Sequence, residues 1–177
     1  MDILYISGSP RENSNTDILL KLALSITGGK LIKLADYRIE PCISCRACQK
    51  LDECVIKDDM KNIIIPMLLE SKCIVIGSPV FFNNVSAQTK AFMDRTWCVR
   101  GKFKDKIGGA IVVGRRYGAE SAITAINAFF LKHEMIIANR GVSGLAFDIG
   151  EIEQDYEAIE ATKELAERIK ELGGIIK

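Results

Sequence analysis

Short apolar runs alternate along the chain with longer stretches in which apolar residues recur at helical spacing. The short runs are partly β-branched, which predicts strands buried on both faces of a sheet. They cover residues 2–7, 30–35, 73–77, 107–113 and 135–138. The longer stretches predict helices over residues 16–26, 59–70, 86–98, 119–133 and 152–172.

This alternation predicts an α/β protein with a parallel sheet and helices on both faces. Five strands and five helices fit a doubly wound, flavodoxin-like five-stranded parallel sheet with strand order 2-1-3-4-5. Charged residues on one side of run 30–35 suit an edge strand, and Pro66 is expected to kink or divide its helix. The chain has 177 residues, of which 48% are hydrophobic, enough for one core. We expect a single domain over residues 1–177.

Composition narrows the function classes. Lys and Arg number 24 against 23 Asp and Glu, so the net charge of +1 gives no case for nucleic acid or a membrane surface. No apolar stretch approaches the roughly 18 residues of a membrane span, and the N-terminus does not resemble a signal peptide. We therefore expect a cytoplasmic protein. A single histidine excludes His-rich metal sites, and without any G-x-G the sequence lacks the Rossmann fingerprint.

The loop after the first strand, SGSPRENSNT at residues 7–16, is rich in hydroxyl groups and enters a helix N-terminus. Convergent donors, a helix dipole and the Arg11 guanidinium together suit a phosphomonoester. Serine, threonine and asparagine also favour helix caps, so a polar loop with Asn15 or Thr16 as the N-cap explains the same residues. The loop by itself leaves both interpretations open.

The loop after the third strand begins GSPVFFNN at residue 77. Pro79 stiffens its backbone, and Val80, Phe81 and Phe82 place bulky groups just beyond the strand. A flat heterocycle needs such an apolar wall. The simpler interpretation is that both phenylalanines pack under the loop.

The loop after the fourth strand, VGRRYGAE at residues 113–120, brackets Arg115 between Gly114 and Gly118. The glycines permit close backbone approach, and Arg115 either faces the electron-rich edge of a reduced flavin or is solvated. Ligands of such a sheet bind beyond the carboxyl ends of its strands. The three loops should therefore meet there, and together they predict FMN.

Residues 37–58, after the second strand, lack periodicity, and so long a loop in a compact domain is usually functional. The loop carries a cysteine run with the spacing C-x2-C-x2-C-x5-C: Cys42, Cys45, Cys48 and Cys54. Three equally spaced thiols and a fourth after a short return suit the corners of a 4Fe–4S cluster. The alternatives are structural zinc, which usually takes two separated pairs, and free thiols.

The remaining cysteines and the histidine receive simpler interpretations. Cys73 heads a predicted strand and Cys98 ends a predicted helix, so both are expected to be packing residues. His133 has no nucleophile motif nearby and is expected to be a surface histidine. The sequence therefore indicates no acid–base catalyst.

Four stretches carry a resemblance to a known family. They are SGSPRENSNT, PCISCRACQKLDEC followed by VIKDDM, GSPVFFNNVSAQTKAFMDR, and VGRRYGAE. With them the chain resembles the iron–sulfur flavoproteins of archaea and anaerobic bacteria, within the wider NADPH-dependent FMN reductase group of flavodoxin-like proteins. The similarity extends to about residue 120, and the compact cysteine run is its specific marker.

The resemblance implies FMN and a 4Fe–4S cluster in one subunit, with electrons passing between them. It implies that the phosphate is held by Ser9, Arg11, Ser14, Asn15 and Thr16. It implies that the isoalloxazine is lined by Pro79, Val80, Phe81, Phe82 and Asn83, and closed by Gly114, Arg115 and Gly118. It implies that the iron is ligated by Cys42, Cys45, Cys48 and Cys54. The expected partners are a ferredoxin-like or other redox donor and a small-molecule acceptor.

Flavin takes electrons singly or in pairs and a cluster takes one, so their coupling joins one-electron and two-electron partners. Strand spacing puts roughly 10–15 Å between the cysteine loop and the flavin loops of one subunit. The helix at 119–131 is apolar around more than one face. We therefore expect a homodimer or homotetramer in which one subunit's cluster approaches another's flavin.

Two other functions compete with electron transfer. One is an NAD(P)H-dependent FMN, quinone or azo-compound reductase with a structural metal at the cysteines. The other is a non-enzymatic redox-sensing module. Hydride transfer from NAD(P)H would favour the former, and absence of flavin the latter.

Overall fold

The computed structural model describes residues 2–176 and shows one parallel sheet flanked by helices. The strands are β1 (Ile3–Ser7), β2 (Lys30–Lys33), β3 (Cys73–Pro79), β4 (Ile107–Gly114), β5 (Ile136–Ile137) and β6 (Val142–Leu145). Their order is β2-β1-β3-β4-β5, and β6 also pairs with β4. All of these pairs are parallel, so the predicted flavodoxin-like order is confirmed.

The helices alternate with these strands. They are α1 (Asn15–Thr27), α2 (Cys48–Leu51), α3 (Ile65–Glu70), α4 (Ala87–Arg95), α5 (Ala119–Lys132) and α6 (Tyr156–Ile175). Short 3-10 turns lie at Leu34–Asp36, Thr96–Val99 and Glu151–Gln154. Within the described residues, no helix combines the length and apolar character needed to cross a membrane.

Successive residues of the central strands point into two separate cores, because side chains alternate across a sheet. Leu4 and Ile6 of β1 join the core formed with α3, α4 and α5. Ile3 and Tyr5 join the core formed with α1 and α6. β1 and β4 are buried along their whole length, which explains their unbroken apolar runs.

The fifth strand position differs from the prediction of one strand starting at residue 135. Two short strands share it: Ile136 pairs with Ile107 near the start of β4, and Val142 pairs with Ile111 further along. Between them the chain turns at Gly141, which has φ +113°. The pattern missed β6 because its buried positions are only Val142 and Gly144.

Several element ends also differ, each for a local reason. Pro66 divides its helix, as predicted: a π-helical turn, Met60–Ile64, precedes α3, and Pro66 lies in the first turn of α3, where a missing N–H is tolerated. The helix predicted over 86–98 ends as α4 at Arg95 and tightens into a 3-10 turn. The strand predicted over 30–35 ends at Lys33, where another 3-10 turn begins.

Candidate functional site

The loops after β1, β3 and β4 meet at the carboxyl edge of the sheet, as the strand order requires. The Gly8 N–H donates to the Gly77 carbonyl at 2.8 Å, and the Val80 N–H donates to the Val113 carbonyl at 2.9 Å. These bonds fix the first loop to the second and the second to the third. The predicted flavin loops therefore form one surface.

A buried hydroxyl network holds the first two loops together. Ser86 caps α4 and donates to the Gly8 carbonyl at 2.6 Å, and its hydroxyl lies 2.9 Å from that of Thr89. Thr89 in turn bonds the Ser78 hydroxyl at 3.3 Å. A Cβ on Gly8 would lie 1.8 Å from Thr89 Oγ1, so only glycine fits there. This network was not predicted, although a serine before α4 is a recognisable N-cap signal.

The first loop contains both the polar surface and the cap that its sequence indicated. Ser14 caps α1, accepting the Asp17 N–H at 3.1 Å in a capping box. Ser9 accepts the Arg11 N–H at 3.3 Å, and Thr16 is buried at the start of the helix. The loop does cap the helix, but the cap is Ser14, so the prediction of Asn15 or Thr16 as the N-cap is wrong by one or two residues. A phosphate role for these residues stays a prediction.

A fourth loop, after β6, also reaches this edge. Asn15 donates to the Asp148 carbonyl at 2.8 Å and accepts the Gly150 N–H at 2.9 Å. Arg11 Nη1 donates to the Phe147 carbonyl at 3.0 Å, and Arg115 Cζ lies 4.4 Å from the centre of the Phe147 ring. Phe147 was not predicted as part of the site, because it follows β6, a strand that the hydrophobic pattern did not reveal.

The second loop presents its aromatic residues to solvent. Phe81 and Asn84 exchange backbone hydrogen bonds across a tight turn, at 2.8 and 3.0 Å. The two residues inside the turn, Phe82 and Asn83, have φ of +48° and +61°. Phe82 is fully exposed and Phe81 is half-exposed, so the interpretation that both pack under the loop is wrong. A phenylalanine held in this disfavoured region is typical of functional loops.

Two glycines join the second loop to the third. A Cβ on Gly114 would lie 2.9 Å from Val80, and one on Gly118 would lie 2.5 Å from the Asn83 Cα. Gly118 also has φ +86°, a conformation that costs other residues about 1–2 kcal/mol. The two loops can approach this closely only because both positions lack side chains.

Replacing Gly118 with alanine is expected to reduce the free energy of unfolding by more than the backbone conformation alone explains. Gly101→Ala is the matched control, because Gly101 has φ +78° but a Cβ added there would meet no atom within 4 Å. We expect Gly101→Ala to cost about 1 kcal/mol and Gly118→Ala about 2–4 kcal/mol. Urea unfolding of both variants measures the difference, and equal losses would mean that the contact with Asn83 is unimportant.

The cysteine run lies at the other end of α4 from this edge. Its four thiols line one cavity of about 680 Å³: Cys42, Cys45, Cys48 and Cys54. All six cysteines of the chain are unbridged. The first two of the run are exposed and the other two are half-buried. The loop contains one helical turn, α2, and is otherwise irregular.

The cysteines have a chemistry that suits an iron cluster, although they do not stand as a ready ligand set. Among residues 2–176, no group of three or more His, Cys, Asp or Glu side chains is placed to hold a metal ion. A cluster carried by four thiolates is anionic, and the same cavity is lined by the buried guanidinium of Arg95. Within the described residues the Nε of Arg95 has no hydrogen-bond partner. An orphaned buried donor and four convergent thiols fit an anionic sulfur-containing group.

Arg95 binds residues near both ends of the cysteine loop. It binds both Asp58 carboxylate oxygens, at 2.7 and 2.9 Å, and donates to the Glu40 carbonyl at 2.6 Å. Asp58 also accepts the backbone N–H groups of Glu40 and Lys61, at 2.9 and 3.2 Å. Burial opposes the charge on both partners, but their hydrogen bonds outweigh it, lowering the pKa of Asp58 and raising that of Arg95.

His133 is buried, so the expectation of a surface histidine is wrong. Its ring lies 4.7 Å from those of Phe103 and Phe129, and its Nε2 is 2.9 Å from the Thr96 hydroxyl. Thr96 lies in the 3-10 turn after α4, and His133 lies at the end of α5, so their contact joins these two elements. Burial, with a contribution from Lys132, lowers the pKa of His133 to about 4.

The buried His133 is expected to make stability depend on pH. Between pH 6.5 and about 4 the unfolded chain binds a proton that the folded protein does not, so the free energy of unfolding falls as the pH is lowered. The loss is at most about 3 kcal/mol. Urea unfolding of the wild type and His133→Gln across this range tests it. Parallel losses in the two proteins would show that His133 does not contribute.

Cys98 and Cys73 are both buried, as expected of packing residues. Cys98 also lines the cysteine cavity and donates to the Arg95 carbonyl at 3.3 Å. Burial, and then the neighbouring Cys54 and Cys48, raise the pKa of the Cys98 thiol. Cys98 therefore stays protonated beside the run.

The sequence of this chain is similar to those of known flavin-dependent proteins. A family model described as NADPH-dependent FMN reductase matches residues 1–150. An iron-sulfur flavoprotein of Methanocaldococcus jannaschii is 37% identical over the full length of both chains. One from Methanosarcina thermophila is 32% identical, over 96% of this chain and 93% of that protein. One from Archaeoglobus fulgidus is 36% identical, over 99% of this chain and 93% of that protein.

Solved structures of low sequence identity share the fold. The Trp repressor binding protein of Bacillus subtilis superposes with a TM-score of 0.71 at 22% identity, covering 93% of this chain and 97% of that one. A flavodoxin from the domain Archaea gives a TM-score of 0.59 at 16% identity, covering 96% and 99%. The chain therefore belongs to the NADPH-dependent FMN reductase family and, within it, to the iron–sulfur flavoproteins, and is an oxidoreductase flavoprotein of flavodoxin-like fold.

Proposed function

We propose that this protein passes electrons between FMN and a 4Fe–4S cluster carried by the same chain, and so couples one-electron and two-electron partners. The gathering of all four cysteines of the compact run around one cavity is the observation that carries the proposal. The names of the full-length relatives support it, because each is an iron-sulfur flavoprotein.

The proposed ligands of the two groups are the residues that the family resemblance implies. The cluster would be held by Cys42, Cys45, Cys48 and Cys54. The FMN phosphate would be held at the start of α1 by Ser9, Arg11, Ser14, Asn15 and Thr16. The ring would lie against Pro79, Val80, Phe81, Phe82 and Asn83, with Gly114, Arg115 and Gly118 on its other side. Phe147, held by both arginines, would adjoin the same site.

When bound, FMN supplies one- and two-electron chemistry and the cluster supplies one-electron chemistry. The chain's own contribution is placement. Ser86 holds the start of α4 against the first flavin loop, and Arg95 holds its other end against the cysteine loop. The nine residues of α4 span about 13 Å. No side chain is assigned as an acid or base.

The proposed partners are a ferredoxin-like or other redox donor, a small-molecule acceptor and further copies of this chain. We propose a homodimer or homotetramer that brings one subunit's cluster near another's flavin. The surface of α5, however, does not supply its contact. The apolar residues of α5 mostly bury themselves within the subunit. The exposed apolar groups at the cysteine cavity are instead Ile43, Val55 and Trp97. Light scattering that shows a monomer at micromolar concentration would contradict the assembly.

Purification without oxygen tests the function. We expect about four iron and four sulfide ions and one FMN per chain, and a visible spectrum in which dithionite bleaches both the flavin and the broad cluster absorbance. A yellow protein containing zinc would instead support an NAD(P)H-dependent FMN, quinone or azo-compound reductase with a structural metal. A colourless protein would contradict the flavin site and favour a redox-sensing module.

A further inference from the structure

The ion pair of Arg95 and Asp58 is the most deeply buried charge cluster of the described residues. Both side chains are 0% exposed. The two terminal nitrogens of the guanidinium donate hydrogen bonds to the Asp58 carboxylate and to the Glu40 carbonyl. Its third nitrogen, Nε, is buried without a partner in residues 2–176. A buried donor without a partner is unfavourable, so we expect an acceptor to reach Nε when the site beside it is filled.

Arg95 lies directly against the cysteine site. It lines the same cavity as the four thiols, and its carbonyl accepts the Cys98 thiol from within that cavity. Cys54 lies beside the guanidinium. The guanidinium therefore borders the cysteine cavity and also binds its carboxylate partner, Asp58.

A buried ion pair is a poor way merely to stabilise a loop, because desolvation offsets most of the attraction. We propose that Arg95 is a positioning residue for the cluster: its Nε–H donates to the sulfur side of the cysteine site, and its fixed charge raises the reduction potential of the cluster. This inference rests on the proposed function, since it requires a cluster at Cys42, Cys45, Cys48 and Cys54.

The direction of the effect follows from charge. One-electron reduction adds one negative charge at the site, and a nearby fixed cation stabilises the reduced form. Hydrogen bonds to cluster sulfurs act in the same direction. Asp58 carries the opposite charge and does not line the cysteine cavity. Removing the carboxylate charge and removing the guanidinium should therefore shift the potential in opposite directions. A clamp that only held the loop would produce no such opposition.

The test measures the cluster's midpoint potential in anaerobically purified holoprotein, together with iron content and the electron paramagnetic resonance signal of the reduced cluster. Arg95→Gln is expected to lower the equilibrium constant for one-electron reduction about tenfold, which is about 59 mV. Asp58→Asn is expected to raise the potential. Arg95→Lys, which keeps the charge, should restore most of the wild-type value. Lys90→Gln is the matched control, since it removes an exposed cation of α4 paired with Asp94, and should change nothing.

Each outcome decides between the alternatives. Potentials that stay unchanged in all variants, or move in the same direction in Arg95→Gln and Asp58→Asn, overturn the role of Arg95 and leave the cluster in place. If Arg95→Gln fails to retain iron, Asp58→Asn decides, and an unchanged or lowered potential in it overturns the inference. A wild-type protein without iron and sulfide refutes the proposed function itself, and this inference with it.

Discussion

Replacing Cys45 with serine is expected to abolish the cluster while FMN remains bound. Cys45 lies in the middle of the cysteine run and is exposed at the cavity, so the substitution removes one proposed ligand without disturbing either core. The flavin loops lie at the far end of α4 and share no residue with the cysteine loop. We expect iron and sulfide to fall to near zero per chain and the flavin content to stay at the wild-type level.

Cys98→Ala is the matched control for that variant, because it removes a thiol from the same cavity but not from the run. It is expected to keep its iron, at a cost in stability of about 1 kcal/mol for the small buried side chain. Iron, sulfide and flavin analysis of the two anaerobically purified variants decides the matter. Loss of flavin along with iron in Cys45→Ser would mean that the cysteine loop supports the whole fold. Loss of iron from Cys98→Ala would mean that the ligand set is wrong.

Replacing Thr16 with valine is expected to weaken FMN binding about 10- to 100-fold, since a hydrogen bond to a charged group contributes about 1.5–3 kcal/mol. Thr16 is buried in the first turn of α1, and its methyl group packs beside Gly77, a contact that valine keeps. Riboflavin lacks the phosphate, so its affinity should not change. Titration of flavin-depleted protein with FMN and with riboflavin measures both affinities.

Ser25→Ala provides the control for Thr16→Val, because it removes a hydroxyl from the exposed part of α1, where Ser25 bonds only the Leu22 carbonyl. It should leave both affinities unchanged. Equal weakening of FMN and riboflavin by Thr16→Val would show that the start of α1 supports the loop without contacting the phosphate. Unchanged FMN binding would remove Thr16 from the proposed site.

The relation between sequence and structure differs from one part of the molecule to another. Strands buried on both faces leave unbroken apolar runs, so β1, β3 and β4 and their order were predictable. β6 was not, because its buried side consists of one valine and one glycine. Local rules predicted that α1 begins with a capping residue, although they placed the cap one or two residues after Ser14. The link from Asn15 to Asp148 and Gly150 was not, since it joins residues more than 130 positions apart.

The two candidate sites show the same division. The spacing of Cys42, Cys45, Cys48 and Cys54 already indicated a shared ligand site, because all four lie in one short segment. Asp58 and Arg95 stand within stretches that carried the family resemblance, in VIKDDM and in AFMDR. Their pairing is tertiary, however, because they are 37 positions apart and meet only where the end of α4 packs against the end of the cysteine loop.

The α/β alternation, the family, and the chemical groups available for FMN and iron could be predicted from the order of residues, because these depend on local periodicity and on motifs of contiguous residues. The burial of His133, the contacts of Phe147 with Arg11 and Arg115, and the position of Arg95 at both Asp58 and the cysteine cavity became visible only in the folded protein. Burial and ion pairing depend on which distant segments the sheet brings together. No local pattern of residues records that packing.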